Sequence, residues 1–544
     1  MLVTYTPHGY HSVSIIASLA KDRPFNHSAA MEAPPTVPAA HRPWWETRAF
    51  VAALIIASMI PLLYPPIPPL VDLPGHMGRY RVELGLASSP HLQQYFTYHW
   101  SLMGNLGLDL LIVPMAKLFG LELGTKLLVL AIPPLTVAGF LWVAREVHHR
   151  LPPTALFALP FVYGHPFLFG FVNFSLSMAL AFLAFGLWLR MARLNATRLR
   201  LVVFVPISLL LWMVHTYGWG LLGLLAFSAE SVRQHDRGRN WFMAGVHGAL
   251  HASVMILPLF LTLYWQSGDK GALAHDWFNW KIKWRFIRAA LRDRWDWYDQ
   301  ASLAVVALLL VVVIFHRKLT FSRNLLFSAL VLSIVYAILP RIIFASAYAD
   351  MRLVPYIMAV VLLSIRFKHA THLPTARALA IAGVLFCTVR LTGNTISLAS
   401  ASIDQQAKLE ALEHIPTGAR VLSLVGHRCG DNWALPRNAH LGALVIVRRD
   451  GFSNDQWPMT DSKLLGVRNA DTLGWFAHDP SQQVQPRPCA NNEHWMIERS
   501  LAWFPRNQFD YVWMMDPPAF DPSYIGRMTL VWRGRRSLLY KLDS

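Results

Sequence analysis

The densest group of chemically reactive side chains follows the first long apolar segment. Asp72 and His76 are four residues apart in "DLPGHMGR", and Arg79 follows three residues later. One helical turn would place the three side chains on one face, where they could converge. A helix cap followed by solvated charges gives the same pattern. An Asp–His pair without a third ligand nearby is a weak metal signal, so no metal site is predicted.

A second group lies in "YADMRLVPY", at the start of a later apolar run. It contains Tyr348, Asp350 and Arg352. The guanidinium group suits bidentate contact with phosphate or pyrophosphate oxygens. The alternative is an arginine whose charged end reaches the membrane interface, which is common.

Four more polar side chains lie where apolar runs meet. His165 and Asn173 are in "YGHPFLFGFVNFS", and His215 and Tyr217 are in "VHTYGW". They are further candidates for a site, although such groups often only form hydrogen bonds between packed spans.

The composition identifies the elements that must position these groups. The chain has 544 residues, of which 54% are hydrophobic and 15% charged. Apolar runs of roughly 16 to 24 residues recur, close to the length that crosses a bilayer. The net charge of +18 comes from Lys and Arg in short loops, which is typical of orientation signals and headgroup contacts and disfavours nucleic-acid binding. The fold predicted is a mostly α, polytopic bundle.

The apolar runs predict eleven spans, near 49–64, 123–144, 154–170, 174–193, 200–214, 217–231, 241–264, 301–315, 324–341, 353–365 and 378–394. Five short basic connections, such as "REVHHR" and "HRKLTFSR", belong in the cytoplasm by the positive-inside rule. The scheme that satisfies all five leaves 104–119 as an interfacial or re-entrant helix. It also places the N-terminus inside, and the C-terminus and all the candidate groups outside.

Three domains follow. Residues 1–48 are expected to form a mostly disordered cytoplasmic leader, and 49–395 a transmembrane domain with external loops 65–122 and 266–300. The second loop should carry an amphipathic interfacial helix with tryptophan on one face and cations on a neighbouring one. Residues 396–544 are expected to form an external soluble α/β or α+β domain. In an oxidising compartment its Cys429 and Cys489 could form a disulfide. Their spacing favours neither a disulfide nor two free thiols.

This layout resembles the GT-C superfamily of membrane glycosyltransferases, which use polyprenyl- or dolichyl-phosphate sugars. Asp72 matches the acidic residue early in the family's first external loop, and 104–119 matches the peripheral helix of that loop. Arg352 in "ADMR" matches a late phosphate-binding arginine. The single Asp of "DLPGH" departs from the family's paired acidic residues. A divalent metal is therefore possible but unsupported, and no cofactor is predicted.

The resemblance implies a function and roles. A sugar would pass, with inversion, from a polyprenyl-phosphate donor to a glycan or lipid acceptor outside a bacterial-type inner membrane. Asp72 would be the base, with His76 bonded to it or to the acceptor. Arg352, with Arg79 as a second candidate, would bind the donor phosphate.

Two other classes of function stay open. A transporter or flippase of a lipid-linked glycan should carry ionisable groups near the midplane and repeated halves, and neither is evident. A non-enzymatic membrane assembly protein of the cell envelope would tolerate replacement of Asp72 and Arg352.

Overall fold

The computed structural model describes residues 43–266, 274–343, 347–368, 373–430, 433–457, 464–487 and 495–543. Most of the predicted leader therefore lies outside the described residues. The helices are α1 Arg48–Ala57, α2 Ile60–Leu63, α3 Leu73–Gly85, α4 Pro90–Tyr95, α5 Gly107–Phe119, α6 Leu121–His148, α7 His165–Phe169, α8 Val172–Arg193, α9 Arg200–Val214, α10 Thr216–Asp236, α11 Trp241–Ala252, α12 Leu257–Gln266, α13 Trp280–Arg288, α14 Asp296–Phe315, α15 Arg323–Ile338, α16 Val354–Leu363, α17 Leu373–Leu409, α18 Leu444–Arg449, α19 Ala470–Leu473 and α20 Ile497–Trp503. The strands are β1 Phe96–Tyr98, β2 Leu319–Phe321, β3 Ile365–Phe367, β4 Arg420–Gly426, β5 Phe452–Ser453, β6 Leu465–Val467, β7 Gln483–Val484, β8 Tyr511–Met515, β9 Met528–Gly534 and β10 Ser537–Leu542.

The predicted helical bundle is present. Five helical segments in the described ranges are long and apolar enough to cross a membrane: Leu121–His148, Val172–Arg193, Thr197–Val214, Asp296–Phe315 and Leu373–His414. A sixth forms if Trp241–Met255 and Leu257–Tyr264, bent by 65° at their junction, count as one broken span. Shorter apolar helices cover Arg48–Leu63, Arg323–Ile338 and Met351–Leu363. Length and composition thus identify five or six of the eleven predicted spans.

One predicted span is not an α-helix. Residues 154–170 were expected to cross the membrane, but Pro153–Tyr163 forms a buried 3-10 helix that is followed by the short helix α7. Pro160 explains the difference, because inside the run it lacks the backbone N–H that an α-helix requires there and clashes with the preceding turn. Hydropathy counts apolar side chains and does not register this loss.

The ambiguous segment 104–119 forms a short helix. Helix α5 has 13 residues with Pro114 inside it. At 1.5 Å per residue it is about 20 Å long, which is less than the hydrocarbon thickness of about 30 Å. An interfacial or re-entrant helix fits this length.

The tail forms a mixed sheet in the order β5-β4-β8-β10-β9, with β7 also paired to β4. Strand β4 is parallel to β5, β7 and β8, and β10 is antiparallel to β8 and β9. Helix α17 continues without a break across the predicted boundary at 395/396.

The first long loop packs into the tail. Strand β1 pairs antiparallel with β6, so that Phe96 lies opposite Val467. Val82, Leu92 and Phe96 are wholly buried in one apolar cluster with tail residues such as Leu422. The loop and the tail therefore share a core, and this core holds helix α3 over the ends of the membrane helices.

Candidate active site

A cavity of about 2270 Å³ lies between the membrane-helix ends and the tail. Its wall includes most of the side chains that the sequence singles out: Asp72, His76, Arg79, Asn173, His215, Tyr217, Tyr348 and Arg352. His165 and Asp350 are not part of the wall. Asp72 and Arg352, 280 residues apart in sequence, thus face one cavity, as the predicted topology requires.

Asp72 is held by the segment that precedes α8. It is the N-cap residue of α3, and its backbone N–H donates to the carbonyl oxygen of Phe169 at 2.9 Å. Gly170, with φ +103°, lies directly against it, and a Cβ atom at position 170 would come within 2.7 Å of the Asp72 nitrogen. The carboxyl-bearing residue is 8% exposed. Its position therefore depends on its contacts with Phe169 and Gly170.

The tail contributes a histidine that the sequence analysis missed. His440 Nε2 is 3.8 Å from Asp72 Oδ1 and 3.9 Å from Asp479 Oδ1. Its Nδ1 lies 2.9 Å from the carbonyl oxygen of Asp455. No motif surrounds His440 in "RNAH", and its contact with Asp72 exists only because the tail packs on α3.

An aromatic wall lies beside these groups. The ring of Trp457 is 4.9 Å from the ring of His76 and 4.7 Å from that of His440, centroid to centroid. His76 also stacks on Tyr80 at 6.4 Å. The predicted contact of His76 with Asp72 or with an acceptor hydroxyl stays a prediction.

Arg352 lines the same cavity, two residues before α16 begins. Its guanidinium carbon is 4.2 Å from the centroid of the Phe171 ring, and Nη2 donates to the carbonyl oxygen of Ala347 at 3.3 Å. Nη1 is 3.4 Å from His215 Nε2. The carboxylate of Asp72 is close enough to interact electrostatically with this guanidinium.

The histidine beside Arg352 is arranged as a second donor. Nδ1 of His215 accepts the backbone N–H of Tyr217 at 3.2 Å. The neutral ring therefore carries its proton on Nε2, the atom that faces Arg352. Two donors that face each other do not satisfy each other. An anionic oxygen that approaches both nitrogens from the cavity would accept from both, so this corner of the cavity suits a phosphate group.

Arg79 has a carboxylate partner. Its Nη2 is 2.7 Å from Asp109 Oδ1, and Asn173 Nδ2 donates to Asp109 Oδ2 at 3.0 Å. Glu83 accepts from the Tyr98 hydroxyl at 3.1 Å, and burial, with Asp109 adding to the effect, raises the pKa of Glu83 to about 8. The Asp109 charge offsets that of Arg79, so Arg79 serves less well than Arg352 as a phosphate ligand. It connects α3 to α5.

Asp350 stabilises the segment that carries Arg352. Its Oδ2 is 3.1 Å from Lys283 Nζ, and both side chains are 2% exposed. Its Oδ1 accepts the backbone N–H of Met351 at 2.9 Å. Lys283 belongs to α13, the predicted amphipathic helix, which exposes Trp280 and Trp284. The ion pair thus attaches this surface helix to the wall of the cavity.

The last two candidate residues, His165 and Tyr348, lie in different surroundings from each other. His165 is 3% exposed, and in the part of the chain that the structure describes neither ring nitrogen has a hydrogen-bond partner. Tyr348 adopts φ +63°, and its ring lies 5.6 Å from that of Phe169. Burial raises the pKa of Tyr348; Arg341 opposes the rise and Asp72 adds to it.

The structure shows the bonding state of two of the three cysteines, and its described residues can be searched for metal-binding clusters. Cys429 lines the cavity and is disulfide-bonded, whereas Cys387 is free. Cys489 lies outside the described residues, so the predicted pairing stays a prediction. Among the described residues, no group of three or more His, Cys, Asp or Glu side chains is arranged to hold a metal ion.

Comparisons with known proteins find likeness only among solved structures. No protein-family model and no curated protein matches the chain. Two crystal structures of ArnT from Cupriavidus metallidurans are similar, one bound to undecaprenyl phosphate and one in the apo state. Their sequences are 12% and 13% identical, the TM-scores are 0.47 and 0.45, and each match covers 91% of this chain and 97% of the other. A likeness of this size is no basis for transferring an activity, so the function is inferred from the cavity.

Proposed function

We propose that the protein is a membrane glycosyltransferase that moves a sugar from a polyprenyl-phosphate donor to an acceptor hydroxyl on the external face of the membrane. The observation that carries the proposal is the cavity shared by the Asp72 carboxylate and the Arg352–His215 donor pair. These are the two kinds of group that a glycosyl phosphate needs on opposite sides of its sugar.

The reaction that fits this arrangement is a single displacement. Asp72 takes the proton of the acceptor hydroxyl, and the acceptor oxygen forms a bond to the anomeric carbon. The bond from that carbon to the phosphate oxygen breaks, and the polyprenyl phosphate leaves with the electron pair. Arg352 and the Nε2–H of His215 stabilise the charge that develops on this phosphate. Attack opposite to the leaving group inverts the anomeric centre.

The cavity is large enough to hold the donor sugar and the acceptor at the same time. Pockets for one small molecule usually measure about 300–1,000 Å³, and this cavity measures about 2270 Å³. His215 and Arg352 lie at the N-terminal ends of apolar helical segments, and we expect such span ends to lie near the level at which a lipid presents its phosphate. The prenyl chain would remain in the membrane while the sugar and acceptor occupy the space below the tail.

The topology completes the proposal. We place the protein in a bacterial-type inner membrane, with the cavity and tail outside and the basic loops in the cytoplasm. The acceptor is then a glycan or lipid of the envelope.

The test is turnover of a donor panel. The purified full-length protein in lipid nanodiscs is incubated with polyprenyl-phosphate sugars of different sugar type and with envelope extract, and released polyprenyl phosphate is measured. Release from at least one donor, dependent on extract, is expected. No release from any donor, together with movement of labelled donors across the bilayer of proteoliposomes, would identify a flippase instead.

A further inference from the structure

We propose that His440 is a positioning residue that orients Asp72 and keeps it ionised, so that the tail supplies part of the catalytic centre. The inference rests on the proposed function, since it assigns a role relative to the base. It starts from the position of Nε2, at 3.8 Å and 3.9 Å from one oxygen of Asp72 and one of Asp479.

The orientation of the ring is fixed from its other side. A carbonyl oxygen only accepts, so His440 Nδ1 must carry a proton and donate to the Asp455 carbonyl at 2.9 Å. Trp457 packs on the ring at 4.7 Å. His440 is 4% exposed. Nε2 therefore faces the two carboxylates.

The charges around His440 favour its cationic form. Asp72 faces it from the start of α3 and Asp479 from the segment that follows α19. The Asp455 carboxyl adds little negative charge at neutral pH, because burial raises its pKa to about 8. The His76 ring also lies 4.9 Å from the Trp457 ring. A lone pair on Nε2 would be repelled by both carboxylates, whereas an Nε2–H group is attracted to each.

This arrangement has two consequences for Asp72. The imidazolium stabilises the carboxylate form, which is the form that accepts a proton, and its contact with Oδ1 restrains the orientation of the carboxylate. When Asp72 becomes protonated, the Nε2–H group still has Asp479 as a partner. The histidine therefore need not lose its proton during transfer.

The first test needs no substrate. Diethyl pyrocarbonate modifies neutral imidazole, so the pH dependence of His440 modification in the purified full-length protein, read by mass spectrometry, reports its protonation. We expect the midpoint to fall by about 1 pH unit in Asp72→Asn and in Asp479→Asn, because each removes a negative charge within about 4 Å. The exposed His91 should not change. An unchanged His440 midpoint in both variants would overturn the inference.

The second test separates positioning from packing. His440→Asn keeps an N–H group near the position of Nδ1, which can still bond the Asp455 carbonyl, but it removes Nε2. If His440 only supported that loop, this variant would keep its kcat and its pH profile, and the inference would fail. We expect instead a lower kcat, an unchanged KM for the polyprenyl-phosphate sugar, and an acidic limb of the kcat profile moved up by about 1 pH unit, because the lost cation raises the pKa of Asp72.

The two failures remain distinguishable. Absence of turnover with every donor would refute the proposed function, while the modification experiment would still decide whether His440 interacts with the two carboxylates.

Discussion

Replacing Gly170 by alanine should displace Asp72 and reduce sugar transfer on the order of 100-fold, with the protein still folded. A Cβ atom at this position would lie 2.7 Å from the backbone nitrogen of Asp72 and 3.1 Å from its Cβ. Ordinary contacts begin at 3.4 Å, so the nearer atom must move by about 0.7 Å. A misplacement of about 1 Å is enough to lose that much rate.

Gly238 provides the matched control. Its φ is +92°, close to the +103° of Gly170, but a Cβ atom there would meet nothing within 4 Å. Both alanine variants carry backbone strain of about 1–3 kcal/mol. Only Gly170→Ala also pushes on the proposed base.

The assay is release of polyprenyl phosphate in nanodiscs, with thermal unfolding measured on the same preparations. The two variants should unfold at similar, slightly lowered temperatures, and only Gly170→Ala should lose kcat. Transfer by Gly170→Ala within a few-fold of Gly238→Ala would refute the claim that the close contact at Gly170 sets the position of Asp72.

Three further predictions concern the cavity and the residues around it. Lys283→Met should destabilise the protein by about 3–5 kcal/mol, because it leaves the Asp350 carboxylate buried without its cation, and the double variant Lys283→Met/Asp350→Asn should recover part of this loss. Thermal unfolding in detergent checks both variants, and a Lys283→Met protein as stable as wild type would contradict the ion pair. Arg352→Lys should weaken use of the donor about 10-fold or more in kcat/KM, because a point charge replaces a two-pronged donor, and unchanged kinetics would remove Arg352 from the phosphate site. The pKa of Glu83 is raised to about 8, against 4.5 for the ordinary group. Between these two pH values the folded state holds a proton that the unfolded state has released. The contribution of Glu83 to stability is therefore present below about pH 4.5 and is lost as the pH rises to about 8. Unfolding temperatures of Glu83→Gln should therefore fall less than those of wild type between pH 5 and pH 8, and parallel curves would contradict this.

Much of the cavity was predictable from topology. Hydropathy and the basic loops placed Asp72 and Arg352 at span ends on the same side, and the structure places both on one cavity. The phase of the five basic loops similarly favoured an interfacial or re-entrant helix at 104–119, and the 13-residue helix α5 fits that prediction. These features depend on local composition, which a single sequence records.

Features that depend on long-range packing were not predictable. The contact of His440 with Asp72 requires the tail to dock on α3, and nothing in the sequence near His440 indicates it. Asp350 is a site candidate in the sequence because nothing near it indicates that Lys283, 67 residues away in the predicted loop 266–300, is its partner. Arg79 was grouped with the phosphate ligands for the same reason, since the sequence does not show that Asp109 would face it.

The most direct measurement is single-turnover sugar transfer by Asp72→Asn in nanodiscs, with donor binding measured in parallel. The amide has nearly the shape of the carboxylate but cannot take the acceptor's proton. We expect donor binding and thermal unfolding close to those of wild type and a transfer rate at least about 100-fold lower, the contribution typical of a general base. Transfer at a near-normal rate by this variant would show that Asp72 is not the base and would contradict the account of the cavity as a glycosyltransferase site.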